Sequence, residues 1–187
     1  MQTKKLMPSV GRILISEPFI SDMYFKRSVV LMIDHSEDGS FGVILNKPVA
    51  SLVCDVVEGF PDVDARIYLG GPVRTDSLFF IHRLGDIIKG SIIINGDIAW
   101  GGDLTQIRKM IEEGKMSKND IRFFLGYSGW TKNQLNEELE LNSWVVSNKK
   151  IDKIIDVDPD KMWEYSLKQL SPDYSDWVNY PVDPTLN

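Results

Sequence analysis

Residues 121–144 read IRFFLGYSGWTKNQLNEELELNSW, and this stretch decides the predicted fold. Its first part, 121–125, is a short apolar and aromatic run of the kind that forms a buried strand. The glycine-rich residues 126–129 interrupt the run, and because glycine adopts positive φ at no steric cost they predict a tight turn. Thr131 predicts a helix N-cap, and Gln134 completes a capping box. The stretch therefore predicts strand, turn, helix and strand in that order.

The predicted turn is also a candidate ligand site. A helix N-terminus presents backbone N–H groups without intrahelical acceptors, so an anion can bind there, with Tyr127, Ser128 and Trp130 as walls. The pattern is not a P-loop, because the GxxxxGK[ST] spacing and its lysine are missing, and it is not a GxSxG nucleophile elbow. Two interpretations stay open: a site for a small anionic metabolite at residues 126–131, or a purely structural connector.

Composition places the chain among ordinary globular proteins. It has 187 residues, 43% hydrophobic and 26% charged, and no apolar run approaches the roughly 18 residues of a membrane span. The N-terminus begins basic, but Pro8, Gly11 and Arg12 interrupt any signal-peptide core, so a cytoplasmic location is expected. The one cysteine, Cys54, excludes an internal disulfide.

Negative charge is concentrated near the end of the chain. Residues 151–187 hold 8 acidic and 3 basic side chains, which is −5 of the total net charge of −6. Residues 1–150 hold the other 19 acidic and 18 basic side chains, a net charge of −1. Neither part offers the basic surface that DNA binding needs, so direct DNA binding is not expected.

The rest of the chain mixes hairpins with helices. Two apolar runs, 29–33 and 43–45, are separated by a short polar loop and predict adjacent, central, antiparallel strands. Further strands are predicted at 13–15, 66–69, 77–82, 92–94 and 144–147. Helices are predicted after Asp103 with Gly114 as C-cap, from Pro159 to about Leu170, and, as a short one, after Ser51. This mixture predicts an α/β or α+β domain with a mixed sheet.

Other polar residues are also candidates for sites. His35 and His82 have no His or Cys partner at a metal-ligand spacing, so no metal site is predicted. Either histidine is a candidate general base, or His35 is a turn residue and His82 a strand-end residue. Gly71 and Pro72 would let a ligand approach the backbone, although a turn also explains them. Arg27 lies beside a buried strand, where a carboxylate is the expected partner.

Several ordered and correctly spaced segments agree with one family. They are GRILIS at 11–16, FKRSVVLMIDHSEDGSFGVILNKP at 25–48, YLGGPV at 68–73, IH at 81–82, GYSGWTKNQLNEEL at 126–139 and NSW at 142–144. On these motifs the sequence resembles the bacterial YqgE/AlgH family over roughly residues 10–170. It departs from the family pattern at Lys47, where Arg is common, and at Ser28, where Thr is common.

The resemblance implies an α/β fold with a twisted, branched, mixed sheet that closes partly into a barrel and is flanked by helices. Some family members are labelled transcriptional regulators, which implies an indirect regulatory role for this chain. The family carries no established catalytic residue, so none is transferred. The motif residues singled out for testing are Arg27, His35, Asn46, Gly71, Pro72, His82, Tyr127, Ser128, Gly129, Trp130, Thr131 and Gln134.

Three functional hypotheses follow. The favoured one is a non-enzymatic cytoplasmic regulator that acts through a protein partner or a small ligand. The second is an enzyme or binding module for a small anionic metabolite at Gly126–Thr131, and the third, ranked last, is direct DNA binding. We expect no cofactor, one domain over residues 1–170, and an extended acidic tail over 171–187.

Overall fold

The computed structural model describes residues 6–148, 156–170 and 172–181. The strands are β1 Ile13–Ser16, β2 Val29–Ser36, β3 Gly39–Ile44, β4 Pro48–Leu52, β5 Arg66–Leu69, β6 Val73–His82, β7 Ile92–Asn95, β8 Ile98–Trp100, β9 Ile121–Thr131 and β10 Trp144–Ser147. The helices are α1 Val53–Val56, α2 Leu104–Glu112, α3 Gln134–Glu140 and α4 Pro159–Lys168, followed by a 3₁₀ helix, Pro172–Asn179. The fold is therefore mixed α+β, as the sequence predicted.

One large, mostly antiparallel sheet organises the chain. Its strand order is β10-β1-β2-β3-β9-β6-β8-β7, and β5 adds to β9 as a parallel neighbour that also pairs with β4. The ladder thus has free ends at β10 and β7 over the described residues, and the partly closed barrel expected from the family resemblance is not supported. The branching is present, because β9 pairs with β3, β5 and β6.

The predicted central hairpin is confirmed. β2 and β3 pair antiparallel, with Val30 opposite Ile44 and Leu31 opposite Val43. Successive side chains of a strand point to opposite faces, and both faces of β2 are buried here. Leu31 joins the cluster that contains Trp163 of α4, whereas Val30 joins the cluster that contains Trp130 and Leu135. Burial on both faces explains why this segment is a nearly continuous apolar run.

The predicted turn at residues 126–129 is wrong. These residues continue β9, which runs unbroken from Ile121 to Thr131. The first half of β9 lies between β5 and β6, and the second half pairs with β3. The strand is therefore the branch point at which two parts of the sheet meet.

Glycine makes this branch point possible through close backbone contact. A Cβ atom on Gly70 would lie 2.2 Å from the carbonyl oxygen of Gly126, and one on Gly71 would lie 2.2 Å from the carbonyl carbon of Tyr127. Gly126 has φ of +70° and faces the carbonyl oxygen of Gly71 in return. Side chains at these positions would force the two backbones apart, so the glycines are needed for approach rather than for a turn.

The helices agree with the sequence more closely than this turn does. Asp103 caps α2 by accepting hydrogen bonds from the backbone N–H groups of Thr105 and Gln106, as predicted. Helix α4 begins at Pro159, and the buried face of this helix carries Trp163. The N-cap of α1 is Leu52 rather than Ser51. Short strands β4 and β8 were missed.

Helix α3 begins differently from the prediction. Its N-cap is Asn133, in the left-handed conformation and without a side-chain cap, rather than Thr131. Half of the predicted capping box survives, because Gln134 Oε1 accepts a 3.0 Å hydrogen bond from the backbone N–H of Thr131. The helix is seven residues long and starts at Gln134, so the N-terminus expected directly after Thr131 lies further along the chain.

The end of the chain also departs from the prediction. Residues 172–179 form a 3₁₀ helix rather than an extended tail, and Trp177 and Val178 pack against the main core. Residues 182–187 lie outside the described residues, and the domain boundary at residue 170 stays a prediction. Within the described segments, no helix combines the length and apolarity needed to cross a membrane.

Candidate functional site

A cavity of about 650 Å³ lies beside the second half of β9. Five strands contribute to its wall: β2, β3, β6, β8 and β9. The lining residues are Asp34, Ser36, Gly39, Ser40, Phe41, Val73, Arg74, Phe79, Trp100, Tyr127, Gly129, Trp130 and Thr131. Its volume is in the range of small-molecule sites, and its wall combines aromatic surface with a few polar groups.

Four aromatic side chains form a closed cycle in this wall. Phe41 lies 5.6 Å from Tyr127, and Tyr127 lies 5.6 Å from Phe79, measured between ring centroids. Trp100 closes the cycle, at 5.6 Å from Phe79 and 5.8 Å from Phe41. The strand order β3-β9-β6-β8 explains three of these contacts, because each strand supplies one ring to its neighbour, whereas the contact between Phe41 and Trp100 joins two strands that are not neighbours. All four rings are only partly buried against the core, so they keep surface that a ligand can contact.

Two charged residues of opposite sign accompany these rings. Arg74 has φ of +51°, a conformation that is uncommon for a residue other than glycine, asparagine or aspartate. Such backbone strain is often found at functional sites, where the surrounding structure maintains it. Asp34 lies across a register shift between β2 and β3. Both side chains are exposed, and neither forms an ion pair within the described residues.

The sequence-predicted site residues divide between the two faces of β9. Tyr127, Gly129 and Thr131 share the face that borders the cavity, as alternation along a strand requires. Ser128 faces the other way, is fully buried and donates a 3.0 Å hydrogen bond to the carbonyl of Gly70. Trp130 touches the cavity but packs its ring in the core around α3. Only part of the predicted set therefore lies together.

Gly129 has a different role from the one predicted. Its φ lies outside the left-handed region, so no turn requires glycine there. A Cβ atom at this position would lie 3.3 Å from Cε2 of the Tyr127 ring. The missing side chain thus leaves room for that ring to lie along the strand and face the cavity.

Gly71 and Pro72 precede β6 and lie beside β9 rather than in a separate turn. Gly71 contacts the backbone of Tyr127, and Val73 pairs with Tyr127 in the sheet. The GGP segment at 70–72 and the GYSG segment at 126–129 therefore lie side by side, in contact through Gly71. Neither Gly71 nor Pro72 lines the cavity; Val73 and Arg74, directly after them, do.

His82 has a structural environment. It is fully buried at the end of β6, and its Nε2 donates a 2.8 Å hydrogen bond to the carbonyl of Gly101. Its Nδ1 accepts a 3.2 Å hydrogen bond from the backbone N–H of Leu84, which assigns the neutral tautomer with the proton on Nε2. Burial lowers the pKa of His82 from its ordinary value of 6.5, while the hydrogen bond with Gly101 opposes that shift. Both ring nitrogens are therefore engaged within the protein.

His35 is in a different position. Its Nδ1 lies 2.7 Å from Oγ of Ser40, its cross-strand neighbour in the β2–β3 hairpin. His35 lines a second cavity of about 500 Å³, which shares Ser36, Gly39, Ser40 and Thr131 with the first. A serine hydroxyl beside an imidazole is a recognised arrangement for nucleophilic chemistry.

Asn46 and Arg27 stabilise the start of β2. Asn46 Oδ1 accepts a 2.9 Å hydrogen bond from the N–H of Val29, and its Nδ2 donates one of 2.9 Å to the carbonyl of Arg27. Arg27 has φ of +50°, and its guanidinium lies 4.7 Å from the centre of the Trp163 ring. Arg27 also donates to the carbonyl of Tyr180, so its observed contacts are a ring and a carbonyl rather than the expected carboxylate ion pair.

Gln134 supports α3. Besides accepting from Thr131, it donates a 3.0 Å hydrogen bond to Oε1 of Glu138. Among the described residues, no group of three or more His, Cys, Asp or Glu side chains is placed to hold a metal ion.

Sequence reasoning missed nine of the thirteen lining residues of the first cavity, among them Phe41, Arg74, Phe79 and Trp100. The three aromatic residues stand in or beside apolar runs, where aromatic side chains are usually core. Arg74 carried no local signal, since its positive φ is visible only in the structure.

Comparison with known proteins places this fold among related chains. A family model described as DUF179, AlgH-like, matches residues 13–175. A UPF0301 protein of Parabacteroides distasonis is 45% identical over 184 residues, covering 97% of this chain and 93% of the relative. A UPF0301 protein of Bacteroides fragilis is 42% identical over 188 residues, covering 100% and 95%.

Two solved structures share the fold. The crystal structure of protein DIP2367 from Corynebacterium diphtheriae matches with a TM-score of 0.78 and 22% identity, covering 95% of each chain. The solution structure of AlgH from Pseudomonas aeruginosa matches with a TM-score of 0.72 and 24% identity, covering 96% of this chain and 98% of AlgH. At these identities the likeness concerns the fold alone.

Proposed function

This chain belongs to the AlgH-like family, and we propose that it is a non-enzymatic cytoplasmic protein that binds a small ligand and acts in regulation through that ligand or a protein partner. The regulatory part is indirect, since the near-neutral body and acidic end of the chain offer no surface for duplex DNA. The proposed ligand binding can be assigned to a particular place in the structure.

The cavity beside β9 carries the proposal. It has the volume of a small-molecule site, and four partly exposed aromatic rings give it an apolar wall. Exposed aromatic surface is costly in water, so a ligand that covers the exposed part of these rings gains free energy. Tyr127 and Trp100 add an O–H and an N–H that can orient a polar substituent.

The ligand is a small anionic metabolite with an apolar or aromatic part. The sequence alone placed the anion at a helix N-terminus. In the cavity, the group that supports an anionic ligand is the guanidinium of Arg74, which is charged and suits a carboxylate or phosphate. Gly129 leaves the Tyr127 ring free to contact the apolar part.

Ligand binding is tested by thermal shift and calorimetry with benzoate, a set of mononucleotides and aliphatic carboxylates. A ligand that binds only the folded state raises the melting temperature with concentration. Arg74→Asn, chosen because asparagine tolerates the left-handed conformation, should abolish the shift. The matched control is Arg66→Gln, an exposed arginine of β5 outside this cavity, which should leave the shift unchanged. A wild-type protein that no probe stabilises would refute the site.

The second candidate is an enzyme acting on the same metabolite. The 2.7 Å contact between Ser40 and His35 favours it, because Ser40 borders both cavities. The reaction class would be ester hydrolysis: Ser40 Oγ attacks the acyl carbon, His35 takes the hydroxyl proton and returns it to the leaving alcohol, and water then releases the acyl group. A fluorophosphonate probe should label wild type and not Ser40→Ala; equal labelling of Ser36→Ala and wild type is the control, and no labelling removes this candidate.

A further inference from the structure

The ring cycle of Phe41, Tyr127, Phe79 and Trp100 has the dimensions of an organic-cation site. Each ring contacts its two neighbours at centroid distances of 5.6–5.8 Å. In a four-membered cycle with such sides, the midpoint lies within about 6 Å of every centroid, which is the reach of a cation–π interaction. A cation at the mouth of the cycle therefore lies within that reach of all four rings, and the negative ring faces that it contacts attract it.

Methylated ammonium groups suit such a site better than metal ions or protonated amines. The positive charge of a trimethylammonium is spread over methyl groups, so the group loses little hydration when it leaves water for aromatic surface. Its methyl groups also gain free energy by covering the exposed part of the rings, as any apolar group would. A primary ammonium would leave its three N–H donors to be satisfied by the few polar groups present.

The charges around the cycle specify the rest of the ligand. Asp34 lines the same cavity, is exposed and has no ion-pair partner among the described residues, so it can complement a cation. Arg74, on β6, supplies one positive charge for a carboxylate.

We propose that the cavity binds a zwitterion, in which a methylated ammonium group contacts the four rings and Asp34 and a carboxylate contacts Arg74. This inference rests on the proposed small-ligand function. It keeps the carboxylate for Arg74 and adds a cationic group, so the ligand is a zwitterion instead of a simple anion. It also accounts for the presence of charges of both signs in one cavity, which a purely anionic ligand leaves unexplained.

The test compares two molecules of the same shape. Glycine betaine and 3,3-dimethylbutanoate share a carboxylate and a three-methyl head, but only betaine carries the positive charge. Calorimetric titration of the full chain should give at least a tenfold lower Kd for betaine, and choline, which lacks the carboxylate, should bind more weakly than betaine.

Amino-acid substitutions test which residues bind the ammonium group. Asp34→Asn should weaken betaine and choline binding while leaving 3,3-dimethylbutanoate unchanged, and Asp38→Asn, in the adjacent exposed turn but outside the cavity, is the matched control. Trp100→Leu should weaken betaine binding most. Asp34 is exposed, so its variant folds even where a ring variant does not.

The two proposals fail in different ways. Equal or tighter binding of 3,3-dimethylbutanoate overturns the ammonium assignment and leaves the small-anion function standing. If betaine, choline, 3,3-dimethylbutanoate and the wider panel of carboxylates and nucleotides all show no binding, both proposals are overturned.

Discussion

Nε1 of Trp130 donates a 2.8 Å hydrogen bond to Oε2 of Glu138, which joins the second half of β9 to helix α3. The same oxygen accepts a 2.7 Å hydrogen bond from Nε1 of Trp144, at the start of β10. Gln134 donates to the other carboxylate oxygen. One side chain of a seven-residue helix thus connects three elements, and this explains how so short a helix is held in place.

Removal of the Glu138 carboxylate should destabilise the protein. Glu138→Ala leaves two indole N–H groups of buried tryptophans without an acceptor, at a cost of about 1–3 kcal/mol of unfolding free energy. Glu138→Gln keeps an acceptor oxygen and should lose less. Urea unfolding followed by circular dichroism measures both, and Glu140→Ala, exposed on the same helix, should change the value by less than about 0.5 kcal/mol. If Glu138→Ala has the same unfolding free energy as wild type, the shared acceptor contributes nothing to stability.

The sequence correctly predicted those elements that depend on interactions between residues close together in the chain. The β2–β3 hairpin, α2 and α4 follow from apolar periodicity and from capping residues such as Asp103 and Pro159. The turn at 126–129 failed because glycine has two uses that look alike in a sequence. Gly126 has positive φ within a strand, and it lies against the backbone of Gly71, more than fifty positions away in the chain. Such a requirement is non-local and leaves no local pattern.

The candidate site was predictable only through β9. Tyr127, Gly129 and Thr131 were named from the sequence and do border the cavity. Phe79 and Trp100 join them because β6 and β8 follow β9 in the sheet, and strand order is a property of the whole fold. In the sequence these aromatic residues cannot be told from core.

Asn46 should be needed for the stability of the loop before β2. It accepts from the N–H of Val29 and donates to the carbonyl of Arg27, a residue with positive φ. Asn46→Ala removes the partner of the buried N–H of Val29 and of the partly buried carbonyl of Arg27, so we expect a loss of about 2 kcal/mol of unfolding free energy. Asn46→Asp retains the acceptor for Val29 but loses the donor, and it should fall between wild type and alanine. A denaturant series that ranks aspartate below alanine would contradict this account of the two hydrogen bonds.

Acid should destabilise the protein through His82. Burial lowers the pKa of this group, so below its ordinary value of 6.5 the unfolded chain binds the proton more readily than the folded chain. The stabilisation is fully present above pH 6.5 and is lost as the pH falls through 6.5 towards the lower folded pKa. Between about pH 7.5 and about pH 5.5, wild type should therefore lose more unfolding free energy than His82→Gln. Carboxylates titrate in both proteins, so the difference between the two slopes isolates His82, and parallel slopes would exclude the mechanism.

The branch point of the sheet should tolerate no side chain at Gly126. Gly126 and Gly59 have nearly the same φ, +70° and +66°, so an alanine at either position suffers a similar backbone penalty of about 1–2 kcal/mol. They differ in surroundings, because a Cβ atom at Gly59 meets nothing within 4 Å, whereas at Gly126 it lies 2.6 Å from the carbonyl oxygen of Gly71. The difference between the two variants therefore measures the steric overlap alone.

We expect Gly59→Ala to remain folded with a modest loss, and Gly126→Ala to lose at least about 2 kcal/mol more, because β6 and β9 must separate to accept the methyl group. Thermal and urea unfolding measure both variants, and Gly114→Ala, at φ +67° with nothing within 4 Å, repeats the open-space control. The cavity depends on the same contact, since Gly71 fixes Tyr127 and leads into Arg74. A Gly126→Ala protein as stable as Gly59→Ala would show that the two backbones need not touch, and the placement of Tyr127 would then require another cause.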